Sequence, residues 1–428
     1  MHKDGPCRMP IEGERTGSGR PSASIGQVER KMETKRQTLI IVVLGALTAM
    51  SPFSIDMYLP GFPAIARALN TDVAHVGLTL TSYFIGITLG QLGYGPALDR
   101  FGRKMPVLVG LSVYVLAAVG CALSPSLNFL IAMRFFLALG SCVGMVAANA
   151  IVRDLFSGRE VAKALSTLMT VFGIAPIIAP ATGAFVTSVF GWRYIFGVLA
   201  VIGALVLIAV ARFVQGTKGP DRSISLHPAM VGLGYLRVFK VPRFLVFSAA
   251  AMAGTGGLFT YIAGSPFVYI SLFGLTATQY AWAFGTNALL FVIGSQTNRA
   301  ILKNHESGWI LVMVTAAECA ITAVLLGGSL LGFLPSWSFM ALVASYMFCH
   351  AFVGPNAGAL ALLPFSQDVG SASASFASVQ MISGALASGL LACFHNGTRV
   401  PMAAMMGACS GLSLVLAGVG SLSLRRVR

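Results

Sequence analysis

The residues of this chain predict an all-α integral membrane protein with twelve transmembrane helices in two six-helix halves. Three observations carry that prediction. The 428 residues are 56% hydrophobic and only 10% charged, with a mean hydropathy of +0.80, whereas a soluble chain carries about a quarter charged residues. Apolar runs long enough for a hydrocarbon core of roughly 30 Å recur along the sequence. Lys and Arg gather in alternate connections between those runs.

Residues 1–37 are polar, rich in Gly, Pro and Ser, and mixed in charge, so they read as a disordered cytoplasmic tail. The spans then fall near 38–59, 74–96, 105–124, 128–150, 163–187 and 192–213 in the first half. In the second half they fall near 243–270, 278–298, 307–330, 335–360, 370–392 and 400–423. The connection 214–242 divides the chain into a half of residues 38–213 and a half of residues 243–428. Ser51-Pro52-Phe53 recurs as Ser265-Pro266-Phe267, and the ending GPALDR at Gly95–Arg100 recurs as GSQTNR at Gly294–Arg299. These matches suggest a parallel repeat, an arrangement that places a binding site at the midplane between halves.

The formal charge of +15 would suggest nucleic acid on a soluble protein. Here the bases sit beside apolar spans, where topology and anionic lipid explain them and no nucleic-acid partner is expected. Arg100, Arg103, Lys104, Arg153, Arg159, Lys163, Arg299 and Lys303 fall on one side of the membrane, with the tail, the central connection and the C-terminus. The other side holds only Arg67, Arg193 and Arg399, so both termini are expected in the cytoplasm. The seven cysteines show no CxxC or metal-ligand spacing, and neither a metal nor a cofactor is expected.

Asp56 lies within an otherwise charge-free apolar run, where an acid is costly and by default marks a functional site. Alternatively it only caps or wets the helix mouth. Arg134 falls on the fourth span at a similar depth, about six residues, or roughly 9 Å, from its start. Pairing the two would lower the cost of burying either, and such a pair suits proton coupling. The rival reading is two separate, interface-anchored residues.

The stretch Gly95-Pro-Ala-Leu-Asp99-Arg100-Phe-Gly102-Arg103-Lys104 resembles the G-x-x-x-D-R-x-G-R-K signature of the major facilitator superfamily. That resemblance implies the major facilitator fold and a latch in which Asp99, Arg103 and Asp154 form a charge relay favouring the outward-facing state. In the second half the match is degraded, with Asn298 for the acid and Leu302 for one base. A narrower resemblance rests on Asp56-Met57-Tyr58-Leu59-Pro60, Tyr94-Gly95-Pro96, Met133-Arg134-Phe135-Phe136, Trp192-Arg193-Tyr194-Ile195-Phe196 and Gly264-Ser265-Pro266-Phe267-Val268-Tyr269-Ile270. It is to the Bcr/CflA drug-resistance branch of proton-coupled multidrug exporters, and it touches both halves. It implies exchange of protons for small, varied drugs at the bacterial inner membrane, with Asp56 and Arg134 in proton coupling and a monomeric protein. The chain departs from that branch at Leu137 and Ala138, where a polar residue and a glycine are usual.

Gly173, Pro176, Pro180 and Gly183 on the fifth span resemble the antiporter motif of exporters, with alanine in place of one glycine. Prolines four apart lie on one helix face and bend it. Tyr58, Tyr83, Phe84, Tyr261, Phe267, Tyr269 and Trp282 are candidates to line an apolar, polyspecific site. Glu318 is a candidate second proton or cation site, while His350 more often satisfies a core hydrogen bond. A metabolite exporter or facilitator on the same scaffold is the alternative function. A membrane enzyme or receptor is disfavoured, because the chain has no HExxH, no Walker lysine motif and no nucleophile elbow.

Overall fold

A computed structural model describes residues 23–214, 219–221, 236–365 and 369–425. The chain divides into a unit up to Ile40 and a compact unit from Ile41 onward, and the account below concerns the second. Every regular element among the described residues is helical. The first half comprises α1 (Ala23–Asp56), α2 (Phe62–Ala68), α3 (Val73–Val76), α4 (Leu78–Phe101), α5 (Lys104–Ala122), α6 (Leu127–Leu155), α7 (Arg159–Val189) and α8 (Arg193–Phe213). The second half comprises α9 (Pro242–Ser265), α10 (Ala277–Ile301), α11 (Ser307–Leu330), α12 (Ser336–His350), α13 (Val353–Leu362), α14 (Val369–Cys393) and α15 (Val400–Arg425).

Among the described residues, eleven segments are long and apolar enough to cross a membrane. The remaining expected span, the eighth (278–298), corresponds to α10, a helix of 25 residues. It is more polar, carrying Gln279, Thr286, Asn287, Gln296, Asn298 and Arg299. The large apolar side chains left exposed by the bundle, such as Leu116, Leu205 and Trp282, form the surface offered to lipid. Trp282, one of the expected site residues, is 76% exposed.

The sequence expectations are corrected at several boundaries. The first helix begins at Ala23 rather than at residue 38, consistent with a run of residues 27–37 rich in Gln, Glu, Lys and Arg and free of proline. Residues 1–22 and most of the 214–242 connection lie outside the described residues. At its other end α1 stops at Asp56, and a 3-10 turn, Leu59–Gly61, leads into α2. Pro60 has no N–H to give the Asp56 carbonyl, which ends the helical ladder there. Pro355 deprives the Ala351 carbonyl in the same way, and the expected tenth span is broken into α12 and α13 at Ala351–Phe352. Pro266 has a related effect on α9, which continues from Ser265 into a π turn, Pro266–Leu272. Helix starts follow capping chemistry. The Ser126 hydroxyl accepts from the Phe129 N–H at the head of α6, and Thr276 and Gln279 form a reciprocal capping box at the head of α10.

The halves meet along α4 with α14 and α7 with α10, and through the 3-10 turn, α2, α3 and the π turn. The Thr81 and Ser388 hydroxyls are 2.8 Å apart, and the Phe84 and Phe259 ring centroids 4.3 Å apart. These contacts close the end of the bundle that carries Leu59–Gly61. The turn bearing Gly102 and Arg103 lies at the opposite end of α4.

Candidate functional site

Ser51 to Tyr58 forms the centre of the site. Residues two apart on a helix point about 200° apart, so Ser54 and Asp56 face opposite sides of α1. Arg134, from α6, meets the Ser54 side. Its Nη1 donates to the Ser54 carbonyl at 2.7 Å, and its guanidinium carbon lies 4.6 Å from the Tyr58 ring centroid and 4.4 Å from that of Tyr83. The Arg134 side chain is completely buried, and its Nε and Nη2 have no hydrogen-bond partner. Two aromatic faces and one carbonyl are thus what stabilises this cation. Such cation–π contacts are worth about 2 kcal/mol or more when desolvated.

Both rings are themselves anchored. The Tyr58 hydroxyl pairs with Thr79 at 3.0 Å, and the Tyr83 hydroxyl with Ser141 at 2.8 Å. Ser54 completes the cluster through the Tyr114 hydroxyl at 2.9 Å. Ser54, Thr79, Tyr114 and Ser141 were not singled out by the sequence reading. Short hydroxyl side chains in apolar helices give no sign, before the fold is known, of which tyrosine they hold.

Asp56 occupies the other face. It is 5% exposed, and among the described residues no hydrogen bond or ion pair reaches its carboxylate. The expected Asp56–Arg134 ion pair is not formed: apart from the exposed His75–Asp72 contact, the ion pairs among the described residues join the buried Arg103 to the partly exposed Asp99 and Asp154, and Glu318 to His350. The two-residue offset on the helix turns Asp56 away from the side of α1 that Arg134 meets. On its own side Asp56 lies within electrostatic reach of Tyr261 and Tyr280 of the second half. There Tyr261 accepts from Asn287 at 2.8 Å and stacks on Phe284, while Tyr280 pairs with Ser265 at 2.9 Å.

The remaining candidates separate into groups. Tyr269 is buried beside Tyr261 and Tyr280. Phe84 packs between the halves, against Phe259 and above Gly384. Phe267 sits edge-on to His395 in a small pocket at the closed end. Glu318 lies inside the second half against His350 and does not face Asp56. Tyr58 and Tyr83 serve the Arg134 cage.

The α7 segment braces this arrangement. Gly173 faces Val292 of α10, and a side chain at Gly183 would strike the Met57 carbonyl next to Asp56. Only glycine lets the end of α1 come that close. At the far end of α4, Gly102 turns the chain with φ +78°. Arg103 then donates from Nη1 to Asp99 at 2.7 Å and from Nε to Asp154 at 2.9 Å. Burial works against the Arg103 charge, but the hydrogen bonds and charges of Asp154 and Asp99 outweigh it and hold the guanidinium above its ordinary value. Lys104 Nζ reaches the Ala211 carbonyl at 2.8 Å. Arg100 and Gly95 lie within the last two turns of α4, and Gly95 borders a recess beside Asp99 and Asp154. The second half has a neutral counterpart, in which Asn356 donates to Asn298 at 2.8 Å.

The profile of the Major Facilitator Superfamily matches residues 44–388. An uncharacterized MFS-type transporter, YdgK, of Bacillus subtilis is 34% identical over 394 residues, 91% of this chain and 95% of its own length. A bicyclomycin resistance protein homolog of Haemophilus influenzae is 31% identical, covering 90% of this chain and 96% of its own. Among solved structures, the nucleoside transporter NupG superposes with TM-score 0.70 at 14% identity, over 89% of this chain and 98% of that one. A bacterial homolog of the human lysosomal transporter Spinster, in an inward-facing and unoccupied conformation, gives 0.68 at 15%, over 91% and 97%.

Proposed function

Because the chain belongs to the major facilitator superfamily, we propose that this transporter exports small, chemically varied drugs in exchange for protons, with Asp56 as the proton carrier. One observation carries the reading: a buried carboxylate without an ion pair or hydrogen bond sits where the first half faces Tyr261 and Tyr280 of the second. Support for drugs as substrates comes from relatives named for resistance. These are the bicyclomycin resistance protein homolog, a chloramphenicol resistance protein of Pseudomonas aeruginosa at 29% identity, and the multidrug resistance protein MdtL of Shigella flexneri at 28%.

The geometry suggests how exchange is coupled. A proton on Asp56 neutralises the acid where it stands. Its release leaves a charge that Arg134, behind the same helix, meets only if α1 turns or shifts. The break at Pro60 and the bare Gly183 face allow that end of α1 to move. With the basic loops in the cytoplasm, the closed end is periplasmic and the Asp99–Arg103–Asp154 latch is cytoplasmic. The conformation is then inward-facing although the relay within the first half is formed, so the relay alone does not hold the outward-facing state that the resemblance implies, and a single subunit of the bacterial inner membrane contains the whole site. Each pH unit supplies about 1.4 kcal/mol per proton, and each 100 mV about 2.3 kcal/mol per net charge.

The test is drug-induced proton release from everted vesicles. Asp56→Asn abolishes it while expression is unchanged. Normal coupling in that variant removes Asp56 from the mechanism, and a response confined to one metabolite replaces drug export with metabolite export.

A further inference from the structure

The site described above leaves one titratable cluster unused. Glu318 on α11 is completely buried, and His350, the last residue of α12, is 5% exposed. His350 Nδ1 lies 3.1 Å from Glu318 Oε1, while Glu318 Oε2 is buried without a hydrogen-bond partner. Tyr346 stacks on the imidazole at a centroid distance of 5.8 Å, and Phe291 of α10 lies on it at 6.3 Å. From α9, Gly254 is the close neighbour of the ring. The titratable groups facing the pair are Tyr346 and Cys349 of α12 and Cys409 of α15. No lysine, arginine or second carboxylate approaches it among the described residues.

A carboxylate and an imidazole that share one proton carry no net charge, whether the proton sits on oxygen or nitrogen. Removing that proton leaves a net negative charge in a sealed, low-dielectric interior, and adding a second leaves a net positive one. Both changes are costly until water or a rearrangement reaches the pair. The fold supplies a place for such a rearrangement, because α12 breaks immediately after His350, where Pro355 leaves the Ala351 carbonyl without its helical donor. A bend there moves the imidazole against α11. We propose that Glu318 and His350 together form a second proton-binding site, inside the second half and independent of Asp56. The pair takes one proton, passing from net charge −1 to zero, and gives it back when the α12–α13 break opens. The site's existence does not require the transport reading; its use in transport does, adding one proton to the one carried by Asp56.

The experiment uses the full chain in lipid vesicles with 15N-labelled histidine and 13C-labelled glutamate, observed by solid-state NMR. A ring nitrogen coupled to a glutamate carboxyl isolates this pair in the unmutated protein. The expected result is a coupled signal that shifts with pH, shifts equally in Asp56→Asn and disappears in Glu318→Gln. A coupled signal that stays fixed from acid to alkaline pH overturns the proposal, as does the absence of coupling. A shift lost in Asp56→Asn overturns its independence. Drug-induced proton release then separates the two readings. Glu318→Gln releases fewer protons per drug than the parent, whereas a parent that releases none removes the exchange mechanism and leaves the NMR result standing.

Discussion

Arg134 donates to the carbonyl of Ser54 at 2.7 Å, two residues before Asp56, yet the acid and the cation do not pair. The helix between them is the reason. Each charge is buried without an opposite charge, an arrangement that costs several kcal/mol per ion unless other groups compensate. For Arg134 the compensation is the pair of tyrosine rings.

That compensation is measurable. Tyr58→Phe keeps the ring over the guanidinium and loses the bond to Thr79, and Tyr83→Phe likewise loses the bond to Ser141 with longer contacts to Ser51, a cost of about 1 kcal/mol each. Tyr58→Leu or Tyr83→Leu removes the aromatic face and costs about 2 kcal/mol more. Unfolding in detergent, followed by circular dichroism, ranks the four variants. Equal losses for Phe and Leu would show that the rings do not stabilise the cation.

Gly183 sets how closely α7 approaches the end of α1. Gly183→Ala places a methyl against the Met57 carbonyl, and such overpacking costs about 1–3 kcal/mol. Because Met57 adjoins Asp56, coupling is expected to fail before folding does. Parallel measurements of melting temperature and drug-induced proton release check this. A variant that melts lower but couples normally would make Gly183 a packing residue alone.

The Arg103 latch responds to geometry more than to alkaline pH. A cation held above its ordinary value keeps its stabilising contacts at every pH below the unfolded arginine value, and loses them only as pH rises through the higher folded one. Raising pH from neutral therefore leaves the latch in place. Arg103→Lys keeps the charge but cannot donate from two directions to Asp99 and Asp154, and is expected to cost about 1 kcal/mol in this partly exposed setting. Electron–electron spin distances between the latch end of α4 and the start of α14 report the shift in conformer populations. An unchanged distribution would make the latch decorative.

Much of this was legible before the structure. The spans follow from hydropathy, and the latch residues follow from the resemblance, with Asp99 and Arg103 meeting around the Gly102 turn at the end of α4. The Asp56–Arg134 pair was misread because residue counting gives depth, not azimuth. Pro60 was the available signal: it ends α1 at Asp56, and a two-residue offset from Ser54 then turns the acid away. Glu318 and His350 were each recognised as buried titratable groups. Their pairing depends on how α11 and α12 align, which no single-helix periodicity encodes.

The second half offers a direct test of the repeat. Asn298 stands where Asp99 does, Leu302 where Arg103 does, and the buried Asn356–Asn298 hydrogen bond of 2.8 Å takes the place of an ionic latch. Asn298→Asp puts a carboxylate beside Asn356 with no cation in reach, and is expected to destabilise by about 3 kcal/mol. Adding Leu302→Arg, one turn further on α10 and partly exposed, supplies the guanidinium and recovers part of that loss. A double-mutant cycle on the melting of the four proteins gives the coupling energy, expected between about 0.5 and 3 kcal/mol and favourable. Zero coupling would mean that the two ends of the bundle share a sequence pattern without sharing a geometry, and the repeat would then lose its physical basis at the latch.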